Sequence, residues 1–372
     1  MQKQNLCLVS VLLLTGLFTT LPEAAQGTQP LLLSQQQSNQ QLNELLRQGR
    51  QLVDAGNYVQ AIATYQQAAY LDRQNPKIFS AIGYLQARQG NFQEATKAYQ
   101  QAIALDSNNA NFQYALGYSL ANTGDNAAAA SAYRRALMLD SKNVNTYLGL
   151  GVVLLRQKDY NGAIEAYRRV IDFEPKNAKA YEMLGSTLLQ QGRSQEAVKA
   201  LQQAAILAPQ QGSVQLSLGT ALLSQGNVTA GLGAFEAAAR LAPRNAQVHL
   251  QIGKILQAQK NLPGALQAFQ RAASVQPDSV EAQNSIGEIL LTQENYLEAI
   301  IAYRRLVELA PQDPRAYYNL GLALKERDRI ADAIAAVEKA RDLYQRQGKN
   351  EGAQKAESLL QELKKPATNR NS

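Results

Sequence analysis

GNFQEATKAYQQAIALD, residues 90–106, nearly restates GNYVQAIATYQQAAYLD at 56–72, and GDNAAAASAYRRALMLD follows at 124–140. The interval is 34 residues each time. With Leu42 as position 1, nine units run without insertion or deletion: 42–75, 76–109, 110–143, 144–177, 178–211, 212–245, 246–279, 280–313 and 314–347. Without such a period, a chain of 372 residues would be read as two or three domains of roughly 150 residues each. With it, the chain reads as an array that grows by addition instead of around one core.

The columns of this register have a physical sense. Position 8 is Gly in every unit: Gly49, Gly83, Gly117, Gly151, Gly185, Gly219, Gly253, Gly287 and Gly321. Position 20 is Ala in all units but one, where Gly231 stands. Position 24 is large or apolar (Tyr65, Tyr99, Tyr133, Tyr167, Leu201, Phe235, Phe269, Tyr303, Val337), and position 27 is Ala apart from Val170 and Leu306. Spacings of three and four residues place positions 20, 24 and 27 on one stripe of a helix, and positions 4, 7, 8 and 11 on one stripe of an earlier helix. Each unit therefore predicts a helical hairpin. A Gly inside a helix costs about 1 kcal/mol relative to Ala, a cost offset if the bare backbone lets the position-24 side chain approach closely. Gly56, Gly90, Gly124, Gly192 and Gly226 at position 15 predict the turn between the helices. Pro175, Pro209, Pro243, Pro277 and Pro311 at position 32 stop the second helix.

Small residues at 8, 20 and 27, bulky ones at 4, 7, 11 and 24, and Pro at 32 resemble the tetratricopeptide repeat, and the match covers about four fifths of the chain. The resemblance implies an all-α, right-handed superhelical solenoid of nine hairpins whose first helices line a concave groove for a protein or peptide client. The column at position 4 departs from the pattern: it lacks Trp and carries the polar Gln113, Gln215, His249 and Gln283. Looser packing is expected there. GKNEGAQKAESLLQELKK, 348–365, predicts a capping helix with Ala353, Ala356, Leu360 and Leu363 on one side. Residues 28–41 read as a Gln-rich spacer and 366–372 as a disordered tail.

The first 27 residues have the layout of a secretory signal. A 16-residue apolar stretch, Leu6 to Leu21, follows Lys3, and Ala25-Gln26-Gly27 offers a small-x-small cleavage site. The alternative is a retained anchor, although the stretch falls short of a span of about 20 residues. Cys7 lies inside this segment, so cleavage would leave no cysteine, no disulfide and no thiol chemistry. Periplasmic export is the expectation, with membrane attachment only through an uncleaved N-terminus. The net charge of +7, without basic runs, gives no reason to invoke nucleic acid.

Catalytic residue types are scarce. His249 is the single histidine and occupies a packing position, and Gly149-Leu150-Gly151 and Gly231-Leu232-Gly233 fall inside predicted helices, where they cannot cradle a phosphate. The reading is a scaffold with no enzymatic activity. In the resembled family, positions 2, 5, 9, 12 and 13 line the groove. Here they supply an aromatic and basic section (Lys77, Tyr84, Arg88, Tyr114, Tyr118, Asn122), then an apolar floor (Leu148, Val152, Leu155, Leu189, Leu216, Leu223). An acidic section follows, Glu281, Asn284 and Glu288, in a unit whose charge is −4 (six acidic residues against Arg304 and Arg305). Packing is the plain alternative for the leucines and tyrosines. Glu281 and Glu288 are weak candidates to hold manganese or another divalent cation, being about 10 Å apart along the helix. Two specialisations of the family are missing. No Lys and Asn pair at positions 5 and 9 forms a chaperone-tail clamp, and position 6 (Arg47, Ala81, Ala115, Gly149, Met183, Ser217, Gln251, Ser285, Asn319) forms no asparagine ladder. Layout and Gln-rich idiom are similar to the exported tetratricopeptide proteins of cyanobacteria, including processing-associated factors of photosystem II assembly. That resemblance implies a reaction-centre subunit as client. An envelope-anchored adaptor for polysaccharide export or pilus assembly stays open beside it.

Overall fold

The structure is a computed structural model that describes residues 28–365. The leader expected over 1–27 and the tail expected over 366–372 lie outside the described residues. Among those described there are nineteen helices and no strand. They are α1 (Thr28–Asp54), α2 (Tyr58–Leu71), α3 (Pro76–Arg88), α4 (Phe92–Leu105), α5 (Ala110–Thr123), α6 (Asn126–Leu139), α7 (Val144–Arg156), α8 (Tyr160–Phe173), α9 (Ala178–Gln190) and α10 (Ser194–Leu207). The rest are α11 (Gly212–Ser224), α12 (Val228–Leu241), α13 (Ala246–Ala258), α14 (Leu262–Val275), α15 (Val280–Thr292), α16 (Tyr296–Leu309), α17 (Pro314–Lys325), α18 (Ile330–Arg346) and α19 (Asn350–Leu363). The chain divides into two compact bodies, one ending at Gly149 and one beginning at Leu150. Each is a stack of hairpins: α1 to α6 pack on their chain neighbours in the first body, and α8 to α19 do so in the second.

The glycine column does what its cost requires. A Cβ built on Gly49 would lie 2.8 Å from the Tyr65 ring, on Gly83 3.0 Å from Tyr99, and on Gly117 2.8 Å from Tyr133. In the second body the distance is 2.5 Å for Gly185 against Leu201, 3.0 Å for Gly219 against Phe235 and 2.7 Å for both Gly253 against Phe269 and Gly287 against Tyr303. Gly151 against Tyr167 and Gly321 against Val337 are closer still. The position-20 alanines, from Ala61 to Ala333, are fully buried beside this seam. The position-24 side chain, a ring in seven of the nine units and Leu201 or Val337 in the others, thus fills the space that a side chain at position 8 would need, and the helix pair closes tightly.

Turns and caps repeat with the same period. Position 15 is left-handed in all nine units: at Gly56, Gly90, Gly124, Gly192 and Gly226, and equally at Lys158, Lys260, Glu294 and Asp328, with φ between 56° and 90°. The residue before most first helices is a side-chain N-cap: Asn75, Asn109, Asn143, Asn177, Asn245, Ser279 and Asp313 each accept a hydrogen bond from a backbone N–H of the helix that follows. Gln211, in the same place, makes no such bond.

Two regions differ from expectation. The run 28–41, expected to be a loose spacer, is helical from Thr28 and continuous with the first helix of the first unit. Gln is a good helix former, no Gly or Pro interrupts 31–48, and Leu42, Leu45 and Leu46 anchor the helix against the core of the first body. His249, expected to be half-buried, is 5% exposed, with Nε2 2.9 Å from the Pro243 carbonyl oxygen. Beside it a cleft of about 510 Å³ opens between α12 and α14; His249 itself, like Gln113 in the same column, is buried. At the C-terminal side, α19 buries Ala353, Ala356, Leu359, Leu360 and Leu363. Ion pairs of Lys325 with Glu362 (2.6 Å), Lys364 with Glu338 (2.8 Å) and Arg341 with Glu357 (3.2 Å) hold it to α17 and α18.

Candidate partner-binding groove

First helices of successive units touch one another, α3 with α5 in the first body and α9 with α11 and α15 with α17 in the second, while no pair of second helices packs as closely. The first-helix side is therefore the narrow side of each stack. Its wall is made by residues that the glycine seam leaves facing outward.

In the first body that wall is aromatic. Tyr84 on α3 and Tyr118 on α5, at the same register position, are 51% and 47% exposed, whereas Tyr99 and Tyr133 of the seam are buried. Tyr118 is steadied by an edge-on contact with Phe92, ring centroids 6.1 Å apart. Asn122 turns back, its Nδ2 donating to the Tyr118 carbonyl at 2.8 Å. Tyr114 is half-buried and tilts against Tyr133 at 5.9 Å, which gives it a packing role. Arg88 donates to the Tyr58 hydroxyl at 3.3 Å and lies over that ring. Lys77 is exposed, and Leu148 is half-buried.

In the second body Val152, Leu155, Leu189, Leu216 and Leu223 are all half-buried. Leu216 and Leu223 also pack on the core around Phe235. These side chains share their area between neighbouring helices and the open face. Around α15 the wall is charged. Glu281 is paired with Lys254 of α13 at 2.5 Å, and Glu288 accepts from Asn284 Nδ2 at 2.8 Å. The two carboxylates thus have separate partners. Among the described residues no group of three or more His, Cys, Asp or Glu side chains could hold a metal ion.

A feature of this wall that column reading missed is a cavity of about 380 Å³ bordered by Gln257 of α13, Glu288, Leu291 and Thr292 of α15, Tyr303 of α16 and Asn319 of α17. The Tyr303 hydroxyl is buried and forms no hydrogen bond. Burial drives its pKa up, the Glu288 carboxylate adds to the rise, and the neighbouring Asn319 side chain opposes it. Asn319 stood in the position-6 column, which was read for a ladder alone. The usable signal was pairwise: position 6 of one unit meets the tip of the position-24 ring of the unit before, as where a Cβ on Gly149 would lie 2.9 Å from the Tyr133 hydroxyl oxygen.

Profiles of the tetratricopeptide repeat match residues 49–90 and, in overlapping pairs of units, residues 80–348. The chain belongs to the tetratricopeptide repeat family, and its fold is the all-α solenoid of that family, a scaffold for protein–protein interaction. No curated protein matches the sequence. Among solved structures, a tetratricopeptide repeat protein from Parabacteroides merdae is 18% identical, with 68% of this chain and 99% of that chain covered and a TM-score of 0.50. YrrB, described as a tetratricopeptide protein with an unusual peptide-binding site, is 24% identical over 51% of this chain and 98% of its own, with a TM-score of 0.44. PilF of Pseudomonas aeruginosa is 21% identical over 57% and 97%, with a TM-score of 0.49. No helix of the described residues is long and apolar enough to cross a membrane.

Proposed function

We propose that this protein is an exported scaffold, without chemistry of its own, that holds an extended segment of a client protein against its first-helix wall. The observation that carries this reading is the pair Tyr84 and Tyr118, half-exposed on touching helices in a molecule that buries its seam aromatics. Rigid aromatic rings with a polar tip supply contact area at small entropic cost and dominate many interfaces. Lys77 beside them would suit a carboxylate on the client. The leader at 1–27 supports a periplasmic location. The resemblance to exported cyanobacterial proteins supports a photosystem II assembly role, with an exposed tail of a reaction-centre subunit as the client. The second reading, an envelope-anchored adaptor for polysaccharide export or pilus assembly, is supported by the apolar stretch Leu6 to Leu21. N-terminal sequencing of the exported protein separates the two, since an intact Met1 end favours the anchor.

The groove is tested with a photo-crosslinking residue at position 84, and with another at the exposed Glu165 of a second helix. Capture of a discrete polypeptide in the native host is expected from position 84 alone, and mass spectrometry of it names the client. Tyr84→Ala combined with Tyr118→Ala should weaken that capture about tenfold or more, with the circular dichroism of the helices unchanged. Equal capture from both positions, or undiminished capture by the double variant, removes the aromatic wall as a binding surface.

A further inference from the structure

Resting on the groove reading, we infer that the cavity around Glu288 is a subsite for one basic side chain, Lys or Arg, of the bound segment. Three observations converge. First, Glu288 meets no Lys or Arg within ion-pair distance among the described residues, its contact being the neutral Asn284 amide at 2.8 Å. Arg315, the cation whose charge it influences, is held by both oxygens of Asp313 at 3.3 and 3.2 Å. Second, the hydroxyl of Tyr303, a residue with no exposed surface, borders the cavity without a hydrogen-bond partner. A buried polar group left in that state is costly; the hydroxyl has no accessible surface, so a bound donor meets it, and removes that cost, only as the lining side chains move aside. Third, the lining joins the Glu288 carboxylate and the polar side chains of Gln257, Thr292 and Asn319 to the apolar Leu262 and Leu291. That combination fits a side chain with a methylene stem and a cationic, donor-only head.

The other occupants fit less well. A divalent cation needs several oxygen ligands of which more than one is commonly a carboxylate, and only Glu288 is present. An acidic or purely apolar side chain would leave Glu288 opposed or unanswered. A comparison inside the molecule sharpens the point. Tyr167, at the same position 24, also has a buried hydroxyl with no partner, but the following position 6 is Met183 where the Tyr303 site has Asn319. An orphan hydroxyl alone does not make a subsite; the polar side chains around Tyr303 do.

The test uses the full-length protein and a positional-scanning library of extended peptides with random flanks, in which the fixed residue is Lys, Arg, norleucine or Glu. Wild-type protein should retain Lys and Arg peptides about tenfold over norleucine, with the advantage shrinking as salt rises. Glu288→Gln should abolish that preference while peptides are still retained. Tyr303→Phe should reduce it severalfold without lowering the melting temperature, and Tyr167→Phe should leave it intact. If peptides bind but wild type shows no basic preference, or Glu288→Gln keeps it, the subsite is wrong and the groove stands. If wild type retains no peptide at all, the groove reading falls and takes the subsite with it.

Discussion

Gly287 and Glu288 are neighbours on α15 and belong to different regions of the molecule. Gly287 faces the seam, where the ring of Tyr303 leaves a Cβ only 2.7 Å. Glu288 faces the open wall, where the same position 9 carries Tyr84 and Tyr118 in the first body and Val152, Lys254 and Leu322 in the second. The seam repeats because each hairpin must solve the same packing problem, closing two helices tightly. The exposed positions of the wall are free of that problem, so their chemistry changes from unit to unit. Fold and specificity therefore occupy adjoining faces of one helix, about 100° apart, and can be perturbed one at a time except where a seam ring, Tyr303, also borders the wall cavity.

The largest effect expected on the seam comes from alkali. Burial pushes the Tyr99 phenol up to about 12, with Tyr84 adding to the rise, and burial raises Tyr167 and Tyr303 as well. Below the ordinary tyrosine pKa of about 10 both folded and unfolded chains keep these protons, so stability is complete. Between about 10 and about 12 the unfolded chain ionises while folded Tyr99 holds its proton, so stability falls as pH rises through that window. Circular dichroism recorded with tyrosinate absorbance should show helix loss accompanying ionisation of the seam. Ionisation of all tyrosines with the helices intact would contradict this.

Next in size is a pair of glycine substitutions. Gly151→Ala drives a methyl group into the buried Tyr167 ring and should cost about 1–3 kcal/mol by overpacking. Gly233→Ala meets nothing within 4 Å and should gain up to about 1 kcal/mol from helix propensity. Urea unfolding of both variants reads the difference; equal shifts would mean that the seam is not the constraint. The smallest effect is at the turns. Lys158 holds a left-handed conformation with φ 62°, so Lys158→Gly should stabilise by about 0.5–1 kcal/mol, visible as a raised melting temperature. Peptide binding should be the same in all these variants at neutral pH, provided they are folded.

The hairpins were legible because packing selects residue types by size. Gly at position 8 and a ring at position 24 announce each other sixteen residues apart, as Gly83 and Tyr99 do. The left-handed turns were legible only where Gly marks them. At Lys158, Lys260, Glu294 and Asp328 the hydrogen bonds of the hairpin impose the same backbone on side chains that give no sign of it. The wall was legible as a set of positions and not as a set of contacts. Nothing local says that Glu281 is taken by Lys254, two helices earlier, or that Asn319 of the next unit lines the same cavity as Tyr303. Reading columns down the register finds what repeats, while reading across adjacent units would have found the cavity.

The sixteen-residue reach of each glycine–ring contact also governs how the molecule comes apart. No seam contact joins distant stretches of sequence, so a hairpin can form or dissolve with only its immediate neighbours taking part. Hydrogen exchange should therefore be graded along the array, fastest in the terminal hairpins and slowest in those flanked on both sides. Tension applied to the two ends should peel it unit by unit, each step releasing one 34-residue length of chain.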